Sequence, residues 1–213
     1  MKKIIDLLNL LESQNDVFVD HNYLQGKETV FQLLTIREGS SNRVKVNADS
    51  FIDISKQTIN EVIQKAHPNV IPKDYLFFLE YCGGVSINKE EYYFSTFGIG
   101  PMVDENYSSI ISDSAYPGII EQYGFLPIGD ISIQQDPWKF ESVSFFLDLA
   151  SNVQRNCVIE IGPWLPGLIE PDVLPEELFS DLANHKDLWR VVSDSFVDWL
   201  EIMVATKGAF NFF

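Results

Sequence analysis

The sequence predicts a mixed fold in which helices precede and follow a run of strands. Two patterns carry that expectation. Apolar residues recur with helical spacing towards both ends of the chain, and period-two, β-branched or aromatic runs crowd its middle. The 213 residues, 46% apolar and 13% aromatic, are enough for one domain, or one domain with an extension. A chain of this length buries roughly 70% of the surface its unfolded form exposes, so it needs no metal or disulfide staple to fold. That much apolar surface offsets ordering entropy, which a disordered chain cannot do.

The first helix is expected over residues 4–12, where Ile4, Leu7, Leu8 and Leu11 fall on one face. "TVFQLLTIR" (29–37) and "RVKVN" (43–47) are β-prone and flank "EGSSN", a turn-favouring cluster, so they read as a hairpin. "SKQTINEVIQKA" (55–66) reads as a helix with Ser55 as its N-cap, ending near His67-Pro68 because proline disfavours helix at the residue before it.

"IPKDYLFFLEYCGG" (71–84) is a second, central helix. Pro72 suits the first helical position and Asp74 meets the positive end of the helix dipole. Tyr75, Phe78, Leu79 and Cys82 share a face, and Leu76 and Phe77 widen it until little of the helix faces water. Gly83 or Gly84 closes it in the left-handed conformation.

Strands are expected in "EYYFSTFGI" (91–99), "GFLPIGDISI" (124–133), "SVSFFLDLA" (142–150) and "NCVIEIG" (156–162), separated by turn-rich pieces that include "GIGP" and "DPWKFE". In the third, Val143, Phe145, Leu147 and Leu149 alternate with Ser142, Ser144 and Asp148, the pattern of a half-buried antiparallel strand, with Phe146 the exception. "ISDSAYPGIIEQYG" holds a short helix. Two helices close the chain, one from about Pro175 with Glu176 and Glu177 in its first turn, and one around "SDSFVDWLEIMVA", where Phe196, Trp199, Leu200 and Met203 share a face.

Charge narrows the function classes. The net charge is −16, and it is unevenly placed: residues 1–70 hold 8 Lys/Arg and 9 Asp/Glu, whereas residues 71–213 hold 7 and 22, a net −15. Phosphate-binding surfaces work through Lys and Arg, so this balance opposes direct nucleic-acid binding and adsorption to anionic membranes, and it attracts a basic protein. Cys82 and Cys157 form no CxxC pair and read as small core hydrophobes. The lysines and apolar run of "MKKIIDLLNLLESQND" are interrupted by Asp6, Asn9 and Glu12 and offer no small-residue cleavage site, so a cytoplasmic amphipathic helix is expected in place of a secretory signal. No apolar segment approaches the roughly 20 residues of a membrane-spanning helix.

The order of the pieces carries a resemblance. A short helix, "IPKDYLFFLEYCGG", an aromatic strand ending "STFGI", a short helix, "GFLPIGD", a strand with "VSFFLDLAS" and a terminal "SFVDWLEIM" together resemble the SUKH superfamily. That group includes the yeast cell-wall assembly regulator-like domain and many bacterial immunity proteins of polymorphic toxin systems. The likeness spans residues 55–205 and rests on Pro72, Asp74, Tyr75, Phe78, Leu79, Gly83 and Gly84, then Leu126, Pro127, Ile128 and Gly129. Cys82 stands where asparagine is common, and "DISIQQD" lacks a second glycine expected there. The resemblance implies an α+β fold with a mainly antiparallel twisted sheet wrapped by helices over residues 55–213; residues 1–54 fall outside it and read as a helix-and-hairpin extension packed on that core. It also implies a binding role without enzymatic activity. The matching residues set core and turns, so they carry fold and not partner identity.

Sequence motifs for chemistry are sparse. His21, His67 and His185 lie far apart and outside any HExxH pattern, and a Cys82–His185 pair would place its thiol on a helix predicted to be buried, where it is inert. "GIGPMV" lacks the third glycine of a dinucleotide loop. Paired acids such as Asp104/Glu105 and Glu176/Glu177 are expected by chance among 31 carboxylates. No cofactor and no metal are therefore expected.

The candidate partner-binding residues are acids beside aromatics or turns: Asp104, Glu105, Asp136, Trp138, Glu141, Trp164, Glu170 and Asp172. Aromatics anchor interfaces and charges around them steer association. The tryptophans alternatively cover the ends of the sheet. Resemblance and acidity together point to an immunity protein that neutralises a basic toxin domain, a nuclease for example, by occluding its active surface. An intracellular protein-binding scaffold of the same fold is the alternative, and a carboxylate hydrolase, which needs convergent acids in one deep pocket, is the third reading.

Overall fold

The computed structural model describes residues 1–13, 18–25, 28–33, 42–82, 85–88, 92–96, 99–102, 105–108, 118–136, 139–164 and 175–208. Its strands are β1 (Phe18–Gln25), β2 (Glu28–Leu33), β3 (Asn42–Asn47), β4 (Val85–Asn88), β5 (Tyr92–Thr96), β6 (Ile99–Met102), β7 (Glu105–Ser108), β8 (Phe125–Asp136), β9 (Lys139–Asp148), β10 (Val158–Trp164) and β11 (Trp189–Ser193). Its helices are α1 (Lys2–Glu12), α2 (Ala48–Ala66), α3 (Lys73–Cys82), α4 (Ile119–Tyr123), α5 (Pro175–Ser180) and α6 (Phe196–Thr206), with a 3₁₀ turn at Leu182–Asn184.

Nine of these strands form one sheet in the order β11-β10-β9-β8-β5-β4-β1-β2-β3, and β6 and β7 form a separate two-stranded ribbon. Every pairing is antiparallel, which with the surrounding helices gives an α+β fold. The expected hairpin of residues 29–47 is β2 paired with β3, from Glu28↔Asn47 to Leu33↔Asn42. Through β1, which pairs with β4, this hairpin continues the same sheet. Residue 54, at the end of the expected extension, lies within α2.

The sheet has helices on both faces. On one, Trp199 of α6 lies 5.4 Å from Phe145 and 5.8 Å from Phe94 between ring centroids, and Phe196 meets Tyr75 at 4.9 Å and Phe78 at 5.2 Å, which docks α3 on α6. Tyr75, Phe78 and Leu79 are fully buried as the helical spacing predicts, with Leu76 and Phe77 partly so. α1 packs on α6 through the same layer and buries Ile4, Leu8 and Leu11. On the other face, Phe179 of α5 packs 5.2 Å from both Phe125 and Phe146 and 6.3 Å from Tyr123 of α4.

This arrangement corrects the reading of β9. A half-buried strand would expose Ser144, Phe146 and Asp148, yet Phe145, Phe146, Leu147 and Asp148 are all 0% exposed and Ser144 is 5% exposed. Phe146 is no exception to a pattern; it is the second face of a strand buried on both.

Other boundaries also differ. α2 begins at Ala48, so Ser55 is interior to it and caps nothing: neither glycine nor proline interrupts residues 47–67 to force a later start. Ile99–Met102 of "GIGP" is strand, and "DPWKFE" contributes Asp136 to β8 and Lys139 onward to β9. β1, β4 and β11 had no sequence signal strong enough to be read as strands. α6 starts on Ser195, whose hydroxyl accepts the Asp198 backbone N–H at 3.2 Å, an N-cap that satisfies one free donor of the first turn. Gly124 takes a left-handed φ of 70° between α4 and β8, where a Cβ would stand 2.5 Å from that of Ala150. Gly83 and Gly84, expected to close α3, lie outside the described residues, as does the side chain of Cys82; Cys157 is buried as expected. No helix among the described residues is long and apolar enough to cross a membrane.

The two aromatic layers make a quantitative prediction. Phe146→Ala lowers unfolding free energy by about 3–5 kcal/mol, as much as Phe145→Ala, measured by urea denaturation. A loss below about 0.5 kcal/mol for Phe146→Ala would mean that face is not packed.

Candidate functional site

β8 and β9 form the longest pairing in the sheet, from Phe125↔Asp148 at one end to Asp136↔Lys139 at the other. The two ends differ in kind. At the first, the β9–β10 connection is held from inside. The buried carboxylate of Asp148 accepts the backbone N–H groups of Asn152 (3.1 Å), Val153 (2.6 Å) and Gln154 (3.2 Å), and Asn152 Nδ2 donates to the Tyr123 carbonyl at 2.7 Å. These bonds offset the cost of burying the charge. Ser151 and Asn156 supply the left-handed turns of that connection, at φ 66° and 63°. Asp148 is thus a structural acid.

The second end gathers part of the sequence-predicted site. Asp136 closes the β8–β9 ladder opposite Lys139, Glu141 sits two residues further along β9, and Trp164 of β10 stands opposite Ser142, the next residue. At about 3.3 Å per residue and about 4.8 Å between strands, the backbones of Asp136, Glu141 and Trp164 fall within roughly 14 Å on three adjacent strands. Bulges place two of them: the register shifts between Gln134 and Asp136, and again between Ile161 and Trp164. The second shift needs Gly162. Its φ is 140°, and a Cβ there would stand 2.8 Å from the Ser142 carbonyl oxygen, which leaves no room for a side chain.

The other predicted residues divide. Glu105 lies in β7 opposite Met102, in the separate ribbon. Asp104, Trp138, Glu170 and Asp172 lie outside the described residues.

Two carboxyls that the sequence did not single out are perturbed. Burial raises Asp130 from the ordinary 3.8 to about 6, with its own backbone N–H opposing the shift. Burial also raises Glu160, against the Arg190 guanidinium that hydrogen-bonds one of its oxygens. Asp130 pairs in register with Ser144, and Glu160 with Phe145. Consecutive residues of β9 point to opposite faces, so these two acids do not converge. The Cys157 thiol is pushed up to about 11, chiefly by burial and next by the Asp148 charge, so it is not ionised at neutral pH. Among the described residues no group of three or more His, Cys, Asp or Glu stands close enough to hold a metal ion.

Comparison with known proteins finds no matching family model, no similar curated protein and no similar solved structure.

Asp130 generates a pH prediction. Its folded pKa lies above the ordinary one, so the folded chain holds the proton more tightly. The resulting stabilisation is full below about pH 3.8 and is lost as pH rises through about 6. Asp130→Asn removes that loss: urea denaturation should show the variant gaining about 2–3 kcal/mol on wild type between acid and neutral conditions. A variant-to-wild-type difference that is flat with pH would contradict the assignment.

Proposed function

We propose that this chain is an immunity protein of SUKH type, which binds a basic toxin domain and blocks it by covering the surface that engages its substrate. The observation that carries the reading is the net −15 over residues 71–213. Much of that charge stands on the exterior: Glu80, Glu121, Glu177, Asp181, Asp194 and Glu201 are exposed on or beside four different helices. Only part of it is neutralised within the chain, as where Lys3 reaches Glu201 at 2.7 Å and Asp198 at 3.9 Å. Uncompensated surface charge of one sign raises the encounter rate with a cationic partner and mimics the phosphates that a nuclease surface is built to hold.

The β8–β9 hairpin end supports the reading locally. It brings the backbones of Asp136 and Glu141, two acids, onto neighbouring strands at one end of the sheet. Strand ends fixed by bulges hold such groups with less ordering cost than a free loop.

Coexpression with the toxin domain encoded beside this chain tests the reading: the expected result is rescue of growth and a direct complex, and absence of both contradicts it. The association rate of that complex should fall at least about 10-fold between low and high salt. Asp136→Lys with Glu141→Lys should slow association, whereas Trp164→Ala should speed dissociation at a cost of about 2 kcal/mol or more.

A further inference from the structure

We infer that the sheet face that carries Phe146 holds, at Asp130, Ser132, Ser142 and Ser144, a receptor for a basic side chain of a bound protein. The inference stands whether or not that protein is a toxin. Register sets the four together: Asp130 pairs with Ser144 and Ser132 with Ser142, so they occupy consecutive same-face positions on β8 and β9. On the other side of β8, Ser95 of β5 is in register with Asp130, and Tyr93 with Ser132.

The two faces of these strands differ. On the α6 side the interleaved residues are closed to solvent: Phe94, Ile131 and Phe145 are 0% exposed and Val143 is 4% exposed. On the Phe146 side the same stretch of β8 and β9 offers a carboxyl and three hydroxyls. Ser144 is buried, whereas Asp130, Ser132 and Ser142 are half-buried and within reach of solvent. The apolar cover that Phe179 gives Phe146 is followed, one same-face position along β9, by this polar set.

Charge selects the occupant. Among the described residues no Lys, Arg or His forms an ion pair with Asp130. Among them also, the titratable residues that share this face on the neighbouring strands are Tyr93 and Asp148, and α4 and α5, which pack on it, carry Glu121, Glu176 and Glu177 and no cation. Burial without a counter-charge pushes the Asp130 carboxyl up to about 6, opposed by its own backbone N–H. A bound cation offsets that penalty. The carboxylate and the serine hydroxyls all accept hydrogen bonds, and Lys and Arg side chains are donors with no acceptor. An anion meets repulsion from the same carboxylate.

Titration of the Asp130 carboxyl carbon by NMR in the full chain is the test, with propylguanidinium and propylammonium standing in for the Arg and Lys side chains and propylurea as the neutral isostere. At constant ionic strength and about 100 mM, the expected result is that a cation lowers the Asp130 pKa by about half a pH unit or more, while propylurea leaves it in place. Cation affinity weakens about 10-fold between pH 7.5 and pH 5, because Asp130 must first release the proton it holds up to about 6. Exterior acids of ordinary pKa are ionised across that range and give no such dependence. Asp130→Asn, which relieves a buried charge and so keeps the fold, abolishes the pH-dependent cation response of the Ser132 and Ser144 amides. An Asp130 pKa that neither cation moves, or that propylurea moves equally, overturns the inference. So does an Asp130→Asn chain whose Ser132 and Ser144 amides report the cations as tightly bound as in wild type.

Discussion

Burial of β9 on both faces is the constraint from which the rest of the architecture follows. A strand whose consecutive residues Phe145 and Phe146 are each 0% exposed needs an apolar layer above and another below. Trp199 supplies one and Phe179 the other, which requires α6 and α5 to arrive on opposite sides of the sheet. The antiparallel neighbours β8 and β10 carry the same double burial, with Phe125, Leu126, Val158 and Ile159 all closed to solvent. Burying each such aromatic contributes about 1.5–3 kcal/mol, so the centre of the sheet is where the chain's stability is concentrated.

That sealed centre limits where a partner can be met. Polar groups drawn into it are tied down, as Asp148 is by three backbone donors, or shifted towards their neutral form, as Asp130 is. Asp148 has an internal role. In the proposed function, recognition by charge falls to the exterior acids.

Local sequence chemistry made much of this legible. The spacing of Tyr75, Phe78 and Leu79, and of Phe196, Trp199, Leu200 and Met203, identified the two helices that pack together, because amphipathic period is written directly into a helix. The β2–β3 hairpin was legible from its turn cluster. β9 was misjudged because Ser144 and Asp148 look like solvent-facing positions; Phe179 of α5, which packs on Phe146 from their face of the strand, lies far along the chain from β9. β11 escaped notice because five residues with one bulge give too short a period to detect, and β1 because His21, Asn22 and Gln25 dilute its β-prone residues. Of the candidate site, the proximity of acids to aromatics in sequence was visible, but the placement of Asp136, Glu141 and Trp164 on three adjacent strands depends on strand register, which two bulges set and no local motif announces.

Native-state hydrogen exchange across the described strands tests the double burial of β9 most directly. Amides of residues 143–147 should exchange only through global unfolding, with an opening free energy equal to that from denaturant titration and the highest in the chain. Exchange of those amides through local opening, several kcal/mol below the global value, would contradict a sheet sealed on both faces.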